Sequence, residues 1–168
     1  RQMCIRDRVG RPHYKALPEA FAVNNIVMRY TLMLAKDYDA YVHLHLEQGG
    51  YATIRDVYEQ LKIANMGSGR IILHHLDIRT ALEAENYGLN YTIPGKYQVL
   101  REAFKRLGPS YIVESDFIDD PKRPGVSSYP WEIIENQKRL LDENLVTSDY
   151  IGKINVDNVV KIYGVEPP

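Results

Sequence analysis

Residues 70–77 read RIILHHLD, a continuous apolar run of strand length that stops on two adjacent histidines. An unbroken apolar run fits a strand buried on both faces, as in a parallel sheet covered by helices. The same pattern recurs on either side. Residues 41–46, YVHLHL, place Tyr41, His43 and His45 on one face and Val42, Leu44 and Leu46 on the other. Residues 89–94, LNYTIP, and 110–116, SYIVESD, are further strand-like runs.

Helical patterns separate these runs. From Pro18 to Lys36, Phe21, Asn25, Met28, Leu32 and Ala35 recur at three- and four-residue spacing. Thr53 to Ala64 reads as a helix with a buried stripe of Ile54, Val57, Tyr58 and Leu61, and the Thr53–Asp56 spacing suggests a capping box at its start. Helices are also expected over Asp77–Asn86, over Lys96–Leu107, and from Pro130, which suits a first helical position, to Leu141. A last helix is expected after an N-cap at Thr147 or Ser148, burying Ile151, Ile154 and Ile162 and ending at Gly164. Strands alternating with helices at this spacing predict an α/β fold of parallel strands with crossover helices.

Composition narrows the function. The chain has 168 residues, 45% of them hydrophobic, with 21 Lys and Arg against 22 Asp and Glu. Charge so near balance argues against binding nucleic acid or an anionic membrane by bulk attraction. Cys4 is the single cysteine, so an internal disulfide and a cysteine-built zinc cage are both excluded. A reducing, cytoplasmic setting follows as the default, with no membrane association expected and no protein partner implied. The opening RQMCIRDR lacks apolar period and turn logic; residues 1–8 read as a non-native leader and 9–168 as one domain.

In parallel α/β folds the reactive end is the carboxyl edge of the strands. His45, His74-His75 and Asp116 each end a different strand run. Neutral imidazole and carboxylate together suit Zn²⁺, Mn²⁺ or a similar divalent ion, which generates hydroxide from bound water near neutral pH. Parity favours His75 over His74 as the inward residue, because Ile71, Leu73 and His75 alternate onto one face. Asp116 is read as a ligand, or as the group that orients the attacking water or takes its proton. His43, His74, Glu114 and His13 are candidates for supporting or substrate-contacting positions, each with an ordinary structural reading beside it. Lys96, Lys122 and Arg123 read either as charges for an anionic substrate or as solvated side chains. A pocket lined by Tyr91, Phe117 and Trp131 would suit a small substrate, whereas exposed Lys122 and Arg123 would suit nucleic acid.

The segments YVHLHLE, RIILHHLD, YIVESDFIDDP and INVDNVVKIYGV resemble the TatD family of metal-dependent hydrolases, whose fold is an amidohydrolase-like (β/α)8 barrel. Glu114-Ser115-Asp116 is similar to the family's Glu-Thr-Asp at the eighth strand. The resemblance implies that His45 and His75 are metal ligands ending the fifth and sixth strands, and that Asp116 belongs to the eighth. It implies a divalent ion (Zn, Mg or Mn) and hydrolysis by a metal-activated water, often at phosphodiester bonds of DNA. A small phosphoester, lactone or amide is the alternative substrate class, and an inactive scaffold is the alternative outside enzymes. Two departures stand out: the His-x-His of the family's first strand is absent, and Arg8 stands where a glutamate ligand is expected before VGRPHY. The chain is therefore expected to represent the fourth to eighth βα units of a TIM barrel, its C-terminal portion. It should leave open sheet edges and uncovered apolar surface, bind metal weakly and turn over little.

Overall fold

The computed structural model describes residues 8–12, 16–117, 121–122 and 128–167. His13, Arg123 and most of the expected leader lie outside the described residues. The chain divides into two compact units, one formed by residues 1–74 and 79–90, the other by 75–78 and 91–168.

In the first unit, β1 (Arg8–Gly10), β2 (Val42–His45) and β3 (Ile71–Leu73) pair in parallel in chain order. Val9 lies opposite Leu44 and Gly10 opposite His45; Val42 lies opposite Ile71 and Leu44 opposite Leu73. Parallel neighbours require a crossover, and α1 (Pro18–Asp37) and α2 (Tyr51–Ile63) supply them. A third helix, α3 (Ile78–Asn86), lies almost wholly in this unit. Val42 and Leu44 are buried while His43 and His45 are half-buried, the alternation expected of that strand. Ile71, Ile72 and Leu73 are all fully buried, as their unbroken apolar run predicts. Each such aliphatic side chain contributes about 1.5–3 kcal/mol by leaving water.

The inner stripe of α1 is Met28, Leu32 and Ala35; Phe21 and Asn25, expected on it, are only half-buried. Val23, Ile26, Val27, Tyr30, Met33 and Leu34 are exposed, so the expected uncovered apolar surface is concentrated on this helix. The capping box expected at Thr53 does not form. The helix begins two residues earlier, at Tyr51, with Gly50 as N-cap at φ 60. Thr53 is instead inside the first turn, where its hydroxyl accepts from Gly49 N–H at 3.0 Å and donates to Glu47 at 2.9 Å.

In the second unit, β4 (Asn90–Pro94) pairs in parallel with β5 (Ile112–Glu114), Thr92 opposite Ile112 and Pro94 opposite Glu114. The crossover is α4 (Tyr97–Arg106). Pro130 does start α5 (Pro130–Asp142). The Thr147 hydroxyl caps α6 (Ser148–Gly152), accepting from Tyr150 N–H at 3.2 Å. A π-helical stretch (Lys153–Asp157) leads into α7 (Asn158–Tyr163), which ends on Gly164 in the left-handed conformation, φ 64. Ile154 and Ile162 are buried and Ile151 is half-buried.

Side-chain amides fasten this last segment. Asn158 donates to the carbonyls of Pro109 and Tyr111 at 2.9 and 2.8 Å, just ahead of β5. Asn155 and Gln137 exchange reciprocal amide hydrogen bonds at 2.7 and 3.1 Å, tying the π-helical stretch to α5. Of the two asparagines of INVDN, Asn158 thus holds the lead into β5 and Asn155 holds α5. Tyr150 adds a hydroxyl bond to Leu107 O at 2.9 Å and an edge contact on Phe104.

Candidate metal and catalytic site

Each candidate side chain follows the carboxyl end of a strand. β2 ends at His45, where the half-buried imidazole follows the buried Leu44. Gly10 makes this strand end possible. A Cβ there would sit 1.8 Å from the carbonyl oxygen of His45, so only glycine lets β1 approach β2 this closely. That approach brings Arg11 N–H to His45 O at 2.8 Å.

The Arg11 side chain is buried and pairs with two carboxylates, Glu47 through Nε at 3.0 Å and Asp56 through Nη1. The sequence reading passed over Arg11 and Glu47. Their signal was present: an arginine just past the end of β1 and a glutamate just past the end of β2, of opposite charge on neighbouring strands. A buried guanidinium needs such partners, because burying an unpaired charge is very costly.

β3 is shorter than the sequence suggested and ends at Leu73. The alternation used to choose between His74 and His75 therefore does not extend to them. His74 is buried, 1% exposed; its N–H bonds Leu44 O at 2.9 Å, and its ring lies 5.8 Å from that of His45. The structure thus brings His45 and His74 together within the first unit.

His75 opens the second unit and takes a left-handed conformation, φ 43. Its N–H donates to Thr92 Oγ1 at 2.8 Å, and the next N–H, of Leu76, donates to Thr92 O at 2.9 Å. Asp116 likewise lies beyond its strand, since β5 ends at Glu114, and it too is left-handed, φ 48. His75 Nδ1 stands 3.5 Å from Asp116 Oδ2, with their side chains 16% and 22% exposed. Both residues take the left-handed conformation, which His and Asp adopt more readily than most, and they face each other past the ends of two strands.

Glu114 is half-buried on β5, its carbonyl accepting from Gly95 N–H at 2.8 Å. His43 is half-buried in mid-strand opposite Ile72. Lys96 and Lys122 are exposed. Tyr91 is fully buried, so it does not line an open pocket as the sequence suggested, whereas Phe117 and Trp131 are exposed.

A family model for TatD-related DNases matches residues 7–164. The chain belongs to the TatD-related DNase family. This TatD-family chain is also 27% identical over 158 residues to an uncharacterized protein of Methanocaldococcus jannaschii, MJ1127, covering 94% of this chain and 55% of that protein. It therefore spans about half the length of that curated relative. Among solved structures it is similar to a mutant organophosphorus hydrolase from Deinococcus radiodurans, with TM-score 0.70, 14% identity and coverage of 94% and 55%. It is similar in the same way, with TM-score 0.67, 14% identity and coverage of 94% and 56%, to a variant engineered for organophosphate hydrolysis from a weak promiscuous lactonase template. At these identities the likeness concerns the fold, which is that of part of a (β/α)8 barrel. No helix among the described residues is long and apolar enough to cross a membrane.

Proposed function

We propose that this TatD-family chain carries the second part of a metal-dependent hydrolase site, with β1 to β5 serving as the fourth to eighth strands of the barrel. His45, His75 and Asp116 are the ligands to a divalent ion, Asp116 also being the catalytic base. The observation that carries this reading is the His75–Asp116 pair at 3.5 Å, both residues held left-handed past their strand ends. The donor types fit such an ion: imidazole nitrogen and carboxylate oxygen are its ordinary ligands. When bound, the ion supplies Lewis acidity and lowers the pKa of a coordinated water.

The remaining work falls to side chains. Asp116 Oδ2 orients the attacking water and accepts its proton, and Ser115 and Phe117 fix the backbone on either side of it. Thr92 holds the backbone of His75 and Leu76 through its hydroxyl and carbonyl. His74, buried beside His45, steadies that ring, with His43 and Glu114 as outer supports. The substrate is a phosphodiester of DNA. A small phosphoester, lactone or amide is the second reading, favoured by a net charge of only −1. The setting is cytoplasmic.

Metal content after equilibrium dialysis against Zn²⁺ or Mn²⁺ is the test, run on the chain and on His45→Ala, His75→Ala and Asp116→Asn. Stoichiometric binding that each substitution weakens at least tenfold supports the ligand set. Binding unchanged by all of them, or none at millimolar ion, overturns it. Hydrolysis of a labelled oligonucleotide and of a small aryl phosphodiester by the same samples then separates the two substrate classes.

A further inference from the structure

Three aromatic side chains form a contiguous row that starts at Phe117, the residue after Asp116, all within the second unit. The Phe117 ring lies 5.4 Å from that of Tyr129, tilted by 39°. The Tyr129 ring lies 4.8 Å from that of Trp131, nearly parallel at 12°. The stack is half-finished: Phe117 is 41% exposed and Trp131 is 58% exposed.

An aromatic side chain buries about 150–250 Å² when it packs fully, so leaving two such rings wet forfeits stabilisation that a closed cluster would keep. The backbone nevertheless holds these rings firmly. Phe117 N–H donates to Ser115 Oγ at 3.3 Å, and Ser128 N–H donates to Ser115 O at 3.1 Å, which brings the segment carrying Tyr129 against the one carrying Asp116. Tyr129 N–H is taken up by Glu132 Oε2 at 2.6 Å, and Pro130 fixes the turn between Tyr129 and Trp131. A rigid row of rings, open at its face and anchored next to a carboxylate, is a platform on which another planar ring can stack.

We propose that Phe117, Tyr129 and Trp131 form a stacking subsite for a planar ring carried next to the phosphoryl group of the substrate, beside Asp116. A nucleobase of single-stranded nucleic acid and the aryl group of a small phosphoester share this chemistry. The subsite rests on the hydrolase reading only for the identity of Asp116 as the reacting centre; ring binding itself requires neither metal nor turnover.

Trp131 is the single tryptophan of the chain and reports directly on its own stacking. Its fluorescence is titrated without added metal with an oligothymidylate, a length-matched abasic oligomer and phenyl phosphate. Saturable quenching by oligothymidylate, with the abasic oligomer at least ten times weaker, supports a base-stacking subsite. Quenching by phenyl phosphate alone supports the same subsite and assigns it to small esters. Phe117→Ala, at an exposed position, should weaken the ring-bearing ligand about 5- to 150-fold, the range for one stacking partner, with the far-ultraviolet circular dichroism unchanged. Absence of quenching by both ring-bearing ligands, or quenching by the oligothymidylate and the abasic oligomer to an equal extent, overturns the proposal. Ring binding without metal-dependent hydrolysis would leave the subsite standing and remove the hydrolase reading. Hydrolysis of either ring-bearing ligand at unchanged KM in Phe117→Ala would do the reverse.

Discussion

Gly10→Ala tests the close approach of β1 to the His45 backbone on β2. The added Cβ would lie 1.8 Å from the carbonyl oxygen of His45, 2.7 Å from its carbon and 2.9 Å from its nitrogen, where ordinary contact begins at 3.4 Å. All three atoms are backbone, so no side chain can swing aside, and β1 must retreat from β2 by about 1.6 Å, the difference between 3.4 and 1.8. A retreat of that size carries the Arg11 N–H···O bond to His45 from 2.8 Å to beyond hydrogen-bonding reach. Losing it leaves a polar group unsatisfied, at about 1–3 kcal/mol. The φ of 156° adds backbone strain for any residue with a Cβ, on the order of 1–3 kcal/mol. The expected loss is therefore about 2–6 kcal/mol of unfolding free energy. Urea unfolding followed by far-ultraviolet circular dichroism measures it. The midpoint should fall with an unchanged m-value. Gly67→Ala is the control: a Cβ there meets nothing within 4 Å, and the change should be neutral or slightly stabilising. A loss below about 1 kcal/mol for Gly10→Ala would refute the reasoning, since it would mean that β1 yields without cost.

Arg11→Met keeps the length of the side chain but strands Glu47 and Asp56. Because those partners are 26% and 39% exposed and can be rehydrated, the expected loss is about 2–3 kcal/mol, below the 3–5 of a fully buried pair. A double-mutant cycle with Asp56→Asn measures the coupling, and Arg11→Lys should recover less than half, since one ammonium cannot serve both carboxylates in this geometry. Asn158→Ala removes two bonds to the strand lead-in and should cost about 2 kcal/mol in the same urea assay. Tyr97 and Arg139 both bond Glu143, at 2.6 and 2.9 Å; the phenol first and the guanidinium second hold its carboxyl below the usual range. The stabilisation from that carboxylate is thus present above its ordinary pKa and lost as pH falls through the depressed value. Side-chain NMR titration should show the Glu143 pKa rising in Tyr97→Phe, and an unmoved titration would sink this account.

Local chemistry already wrote most of the architecture into the chain. The apolar runs around Leu44, Ile72, Ile93 and Val113 became parallel strands, and three- and four-residue periodicity marked the helices between them. Pro130 and Gly164 set helix ends through their backbone preferences, and Thr147 through its hydroxyl cap. These features are legible because they depend on residues a few positions apart. The start of α2 was misplaced because a left-handed glycine N-cap carries no side-chain signature, whereas the Thr53–Asp56 spacing carries a misleading one. Alternation along β3 and β5 failed at the site itself. Both strands stop early and turn left-handed at His75 and Asp116, so side-chain parity no longer tells where either residue points. Folding alone brought Arg11 to Glu47 and Asp56, Gly10 onto the His45 carbonyl, and Asn158 to the carbonyls before β5. Those contacts join residues 35 to 49 positions apart in the chain. No local preference encodes such distances; they exist only once parallel strands lie in register and their crossovers have closed.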